Sequence, residues 1–338
     1  MDLDVNAASP MDSGLFGLPH GPEEARVHVL GVPFEATTSF RPGTRRAPEA
    51  ILAASRQVDL FDLHFGRPYE QGIWIVPSDP QMGAWDREAR SLAAPIIERG
   101  GAAETDLEAV TRVDAIGDAV RQAVAAFTRE RLDQGRLPVI LGGDHSTPLG
   151  AIEACAERYP GMGVLQFDAH ADLRPAFEGF KWSHASVMHN VLEGPADVSS
   201  LLQVGVRDLC EQEYDVIQAD PRVRTLFGHE LAAARHGAGT RAMARAAVSS
   251  LPEHIFVSFD VDGLDPSLCP NTGTPVPGGL GWDEVTIWLE ELAASDTHVV
   301  GLDLNEVSPG PTGDPEGCSW DAIVGARLLY RLIGAAQP

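Results

Sequence analysis

The chain has 338 residues, 44% of them hydrophobic, enough to bury a substantial core in one large α/β domain or in two smaller ones. With 25 basic against 49 acidic residues its net charge is −24, which argues against nucleic acid and against an anionic membrane surface as partners. No apolar run approaches a membrane span, and Met1 to Val5 lacks the basic and apolar regions of a secretion signal, so a cytoplasmic protein is expected.

Residues 1–24, rich in Gly, Pro and Asp, read as a loose arm. Val27 to Val32 reads as a first strand, Pro33 to Pro48 as irregular, and Pro48 sits near the first turn of a helix running through Ala54. Ile73 to Val76 reads as an edge strand. Residues 85–134 have helical composition with a polar gap near Gly100–Asp106. Apolar runs then predict buried strands at 138–141, 163–168, 201–206, 255–260 and 298–304. Helices are expected over Pro148–Arg158, Gly239–Ser249, Trp282–Ala294 and Trp320–Ile333. The alternation, with no internal repeat and no dividing linker, predicts a parallel sheet covered by helices on both faces, in one domain from residue 25 onward. Cys155, Cys210, Cys269 and Cys318 form no CxxC pair and read as reduced thiols, with Cys269 in a neutral packing role.

Two stretches stand at the ends of buried runs. Asp168-Ala169-His170-Ala171-Asp172 follows Gly163-Val164-Leu165-Gln166-Phe167, and Asp260-Val261-Asp262 follows Ile255 to Phe259. Ligand-type residues at every second position share one face of an extended chain. Such a set of carboxylates and imidazoles at buried strand ends is costly without positive charge to balance it. Oxygen and imidazole donors without thiolate suit a hard or borderline divalent ion such as Mn, Ni, Co or Fe. Either stretch alone is more often a plain loop; two of them, each behind a strand, point to a metal.

Three further residues join them. Gly142-Gly143-Asp144-His145-Ser146 follows the strand at 138–141, and its glycines are expected to allow a tight turn that aims His145 past the strand end. His184 lies in a loop after the first cluster, and Glu306 follows the last strand. Taken singly, these are ordinary turn, solvated-loop and loop-carboxylate residues. Together they lie at or beyond the carboxyl ends of strands, the edge where open α/β sheets build their sites.

These motifs, with Ser258-Phe259-Asp260-Val261-Asp262-Gly263-Leu264-Asp265-Pro266, Gly273-Thr274-Pro275 and Glu306-Val307-Ser308-Pro309, resemble the ureohydrolase family of arginase, agmatinase, formimidoylglutamase and guanidine hydrolase over roughly residues 27–335. The resemblance implies a three-layer α/β/α sandwich with a mainly parallel, about eight-stranded sheet, in which the helical stretch near 85–134 reads as an insertion. It implies two divalent metal ions, manganese by default and nickel as the alternative, bridged by Asp168 and Asp260. His145 and Asp172 would complete the first ion, His170 and Asp262 the second. An activated water would attack the guanidinium carbon, oriented by Asp172 or Asp262. Glu306 and Thr274 would hold the substrate, and His184 would shuttle a proton to the leaving amine. The partner implied is a small guanidinium compound, and family members commonly form trimers or hexamers, so a homo-oligomer is expected. Two readings from other classes stay open: an inactive scaffold subunit and a single-metal deacetylase on a related fold.

The substrate is less legible. Arginases place an asparagine two residues after the last aspartate of the first cluster, where this chain has Arg174. They place an aspartate three residues after the arginine of Gly-x-Arg-Asp, where Gly205-Val206-Arg207-Asp208 leads to Cys210. Cys210 offers no negative charge to an α-ammonium, which disfavours arginine, with Glu211 or Glu213 as possible replacements for the missing contact. Lys181 to Met188 and Leu268 to Pro277 look like agmatinases and guanidine hydrolases alike; Val32 to Ser39, Gln57 to Asp62 and the helical insertion at 85–134 lean toward the latter, while the family base rate keeps agmatine first, ahead of free guanidine, guanidino acids and arginine.

Overall fold

The computed structural model describes residues 4–77, 79–195, 197–310 and 319–337. Among these, eight strands form one sheet: β1 (Val27–Val32), β2 (Ile73–Ile75), β3 (Leu137–Gly142), β4 (Met162–Phe167), β5 (Val198–Val204), β6 (Val223–Leu226), β7 (His254–Phe259) and β8 (His298–Leu304). Their order is β2-β1-β3-β8-β7-β4-β5-β6, and every pairing is parallel. The helices are α1 (Ala47–Ser55), α2 (Pro80–Ile97), α3 (Leu107–Asp133), α4 (Leu149–Arg158), α5 (Val187–Glu193), α6 (Glu211–Ala219), α7 (Gly228–His236), α8 (Thr240–Val248), α9 (Trp282–Ala293) and α10 (Trp320–Ala335).

Alternation within the strands creates two cores. Val139, Leu141, Leu165, Phe167, Val257 and Leu302 join α1, α8, α9 and α10 on one face. Ile140, Val164, Leu201 and Phe256 join α2 to α5 on the other. The result is helices, sheet, helices: the three-layer sandwich. Strands buried on both faces read as nearly unbroken apolar runs, which is why they were visible in the sequence.

β3 and β4, consecutive in the chain, are separated in the sheet by β8 and β7. At such a reversal the loops beyond the strand ends splay apart and leave a crevice. The four central strands β3, β8, β7 and β4 therefore deliver His145, Glu306, the Asp260 pair and the Asp168 cluster to one place.

Some expectations need correction. β6 reads Val-Arg-Thr-Leu at the sheet edge and lacks an apolar run; α5, α6 and α7 were likewise not individually anticipated. The arm before residue 25 is partly seated rather than loose: Leu15, Phe16 and Leu18 are buried, and Phe16 packs against the Tyr330 ring at 4.7 Å. Cys318 lies outside the described residues. Among those residues, no helix is long and apolar enough to cross a membrane.

Candidate metal centre

His145 Nδ1 lies 3.0 Å from Asp168 Oδ2, 3.0 Å from Asp172 Oδ2 and 3.4 Å from Asp260 Oδ2. His170 Nδ1 lies 3.1 Å from Asp262 Oδ2 and 3.6 Å from Asp168 Oδ1. Donors about 2.1 Å from a shared ion stand about 3 Å apart along an octahedral edge, so both groups are spaced as ligands. Two triads result, His145–Asp168–Asp260 and Asp168–His170–Asp262, each with its donor atoms within 4.8 Å of one another. Asp168 belongs to both triads, Asp260 to the first only, and Asp172 approaches the first through His145.

Backbone donors orient the carboxylates. Asp168 Oδ1 accepts the N–H of His170 at 2.7 Å, Asp260 Oδ1 that of Asp262 at 2.8 Å, and Asp262 Oδ1 that of Ala169 at 3.0 Å. His145 Nε2 sits 2.9 Å from Ser258 Oγ; a proton there leaves the Nδ1 lone pair facing the carboxylates. That Nδ1 is buried without a hydrogen-bond partner. A buried, unbonded imidazole nitrogen ringed by three carboxylates fits a cation between them.

The electrostatics say the same. Burial, with the charge of Asp168 adding, pushes the Asp172 carboxyl up to about 7, and burial raises Asp260 and Glu306 well above their usual range. Burial opposes charge on His145 and His170, yet the surrounding aspartates hold both above the ordinary histidine value. The site holds more negative charge than its own residues compensate.

Asp172 and Glu306 have left-handed backbone, with φ of 54° and 61°. For residues other than glycine this is strain of the kind held at functional sites. At Asp172, the carbonyl is held by the N–H groups of Met188 and His189. At Glu306, Oε1 accepts the His145 N–H at 2.9 Å while its own N–H reaches the Gly143 carbonyl. The glycines before His145 have an unexpected reason. Neither Gly142 nor Gly143 has positive φ; instead a Cβ on Gly143 would collide with the Phe34 carbonyl. Close backbone approach, not turn freedom, requires glycine there.

A cavity of about 170 Å³ opens above the cluster, and His145, His170, Asp172, Asp260, His184, Thr274 and Glu306 all reach its wall. Thr274 Oγ1 lies 3.4 Å from Asp262 Oδ2. His184 Nε2 lies 3.3 Å from Ser39 Oγ, and burial, helped by His170 and His145, lowers its pKa to about 3, so it is neutral. At the mouth, Arg174 stacks over Phe177 at 4.7 Å, with its Nε 3.5 Å from Glu213 Oε2. Cys210 is not in the wall; it caps α6, its N–H donating to Glu213 at 2.9 Å. Cys269 donates to the Val261 carbonyl at 3.0 Å, and burial raises its thiol pKa, in keeping with a packing role.

Polar residues inside the strands were given no part in the site by the sequence reading. Gln166, Gln203, Ser258 and Asp303 lie buried on β4, β5, β7 and β8. Their one signal was polarity inside otherwise apolar runs.

A family profile described as the arginase family matches residues 25–334. The chain belongs to the arginase family. It is 34% identical to the N(1)-aminopropylagmatine ureohydrolase of Thermus thermophilus over 313 residues, covering 92% of this chain and 90% of that protein. It is 32% identical to the agmatinase of Pyrococcus horikoshii, covering 92% of each. Among solved structures, the proclavaminate amidino hydrolase of Streptomyces clavuligerus superposes with a TM-score of 0.71 at 25% identity, covering 98% of this chain and 99% of that one. The agmatine ureohydrolase of Thermoplasma volcanium gives 0.70 at 24% identity, covering 94% and 92%, and supports the arginase fold.

Proposed function

We propose that this arginase-family chain is a two-metal ureohydrolase that cleaves a guanidinium C–N bond and releases urea, with agmatine as its substrate. The observation that carries the reading is the clustering of six metal-type ligands, four of which line one cavity with Glu306, in a chain matched by ureohydrolases along nearly its whole length. It also counts against an inactive scaffold or a single-metal site.

Asp168 and Asp260 would be shared by two divalent ions, His145 and Asp172 completing one and His170 and Asp262 the other. Manganese is the first choice and nickel the second. When bound, the pair supplies a water acidic enough to act as nucleophile near neutral pH. Asp172 or Asp262 would accept a hydrogen bond from that nucleophile and fix its direction. Glu306, with Oε1 held by His145, presents Oε2 to the planar, fork-like guanidinium. Thr274 adds a hydroxyl beside Asp262. Neutral His184 faces the same cavity and would relay a proton to the leaving amine, taking one up at one ring nitrogen as it gives one from the other, to yield putrescine and urea.

Free guanidine is the second reading. Arg174 and Phe177 narrow the mouth, and a fixed arginine there opposes an ammonium tail. Urea release from agmatine, guanidine, arginine and 4-guanidinobutanoate by Mn-loaded and Ni-loaded protein tests the proposal. Agmatine is expected to lead; guanidine leading selects the second reading, and no urea from any of the four overturns both. A homo-oligomer, trimer or hexamer, belongs to the same reading and is checked by light scattering.

A further inference from the structure

A polar row crosses the sheet directly beneath the metal centre. Thr225 on β6 pairs in register with Gln203 on β5, Gln203 with Gln166 on β4, and Gln166 with Ser258 on β7. Gln166, Gln203 and Ser258 are fully buried, in strands whose other residues are mostly apolar. An amide buried in a central strand is costly unless its donors and acceptors are satisfied.

Here they are satisfied in one direction. Thr225 Oγ1 donates to Gln203 Oε1 at 2.8 Å. Gln203 Nε2 donates to Gln166 Oε1 at 2.7 Å and to the Ala171 carbonyl at 2.8 Å. Gln166 Nε2 donates to Asp168 Oδ2 at 2.7 Å. A carbonyl only accepts, so Ala171 forces Gln203 to present its NH2 group toward β4. That in turn fixes the Gln166 carbonyl toward Gln203 and its NH2 group toward Asp168. The reverse orientation would set a carbonyl against a carboxylate.

The consequence falls on Asp168. Each carboxylate oxygen has two acceptor positions. Gln166 takes one on Oδ2 and the His170 N–H takes one on Oδ1. One position on each oxygen is left, Oδ2 toward His145 and Oδ1 toward His170. An amide does this without adding charge.

We propose that Gln166, oriented by Gln203 and Thr225, is a positioning residue that sets the two-sided presentation of Asp168 to the metal pair. The inference rests on the two-metal reading above. Outer-shell partners of metal ligands typically contribute about 10- to 100-fold to metal affinity. Gln166→Leu should weaken metal binding within that range, and the thermal midpoint of the metal-free protein should fall because the buried Asp168 Oδ2 loses a donor. Thr225→Val, separated from Asp168 by Gln203 and Gln166, should weaken binding a few-fold in the wild-type background and not at all in Gln166→Leu, because its effect passes through that amide.

The test is a chelator-competition titration of metal on the intact chain, for wild type, both single variants and the double variant, with melting of each apo-protein alongside. Wild-type stoichiometry near two with the coupled pattern supports the relay. Two ions bound by Gln166→Leu at wild-type affinity, or a Thr225→Val effect that persists in the double variant, overturns the relay and leaves the two-metal reading standing. Wild-type stoichiometry near one or zero overturns that reading, and the relay with it.

Discussion

Glu306 accepts the backbone N–H of His145 through Oε1 at 2.9 Å, tying the loop after β8 to the loop after β3 across 161 residues. The bond aims the strained Glu306 side chain at the cavity without making it one of the clustered ligands. Glu306→Gln keeps an acceptor for the His145 N–H and loses the charge. A charged hydrogen bond is worth about 1.5–3 kcal/mol, so kcat/KM should fall roughly ten- to hundredfold or more, with metal content unchanged. Metal analysis beside steady-state urea assays checks this; loss of metal would reassign Glu306 to the metal centre.

Asp168 stands in both triads and His145 in one. Asp168→Ala should therefore lose both metals, and the proposed bridging role of Asp260 makes the same forecast for Asp260→Ala. His145→Ala should chiefly weaken one site. Metal titration of the three variants separates these outcomes, and equal mild losses would contradict a shared carboxylate.

Arginine should be a poor substrate. Cys210 lies off the cavity wall, and Glu213, which lines it, has its oxygens taken by the N–H groups of Leu173 and Cys210 and by Arg174, leaving Asp208 as the wall carboxylate outside the metal and guanidinium groups. An α-ammonium left without its charged partner costs about 1.5–3 kcal/mol. Agmatine or guanidine should exceed arginine in kcat/KM by at least about tenfold; parity in side-by-side urea assays would show another acceptor at the mouth.

Asp86 gives a pH signature away from the metals. Burial, with the Glu35 charge adding, lifts its carboxyl to about 6, against opposition from the Glu35 N–H and Arg45. The folded state thus favours the protonated form. Its contribution is full below the ordinary carboxyl pKa and is lost as pH rises through about 6. Asp86→Asn keeps an acceptor for the Glu35 N–H and cannot ionise. Its stability should fall less between pH 4.5 and 7.5 than that of wild type, by at most about 3 kcal/mol. Denaturant melts at the two pH values decide it, and parallel behaviour would mean that Asp86 is solvated when charged.

The sheet and the ligand set were legible for physical reasons. Parallel strands covered on both faces must be apolar throughout, so β3, β4, β7 and β8 stood out, and Asp168, His170, Asp260 and Asp262 broke those runs at their ends. β6 did not stand out, because an edge strand of Val223, Arg224, Thr225 and Leu226 buries only its two ends. Gln166 was absorbed into an apolar run, since one amide barely dilutes it and its partner Gln203 is 37 residues away. The role of Gly143 was misjudged because a steric approach by Phe34 leaves no local trace.

The most direct test of a two-metal guanidinium hydrolase is urea release by metal-stripped protein titrated with manganese or nickel, using the best substrate of the four. The account predicts little urea up to one equivalent per chain and a rise to full activity on approaching the second. Full activity at one equivalent, or activity independent of added metal, would contradict it.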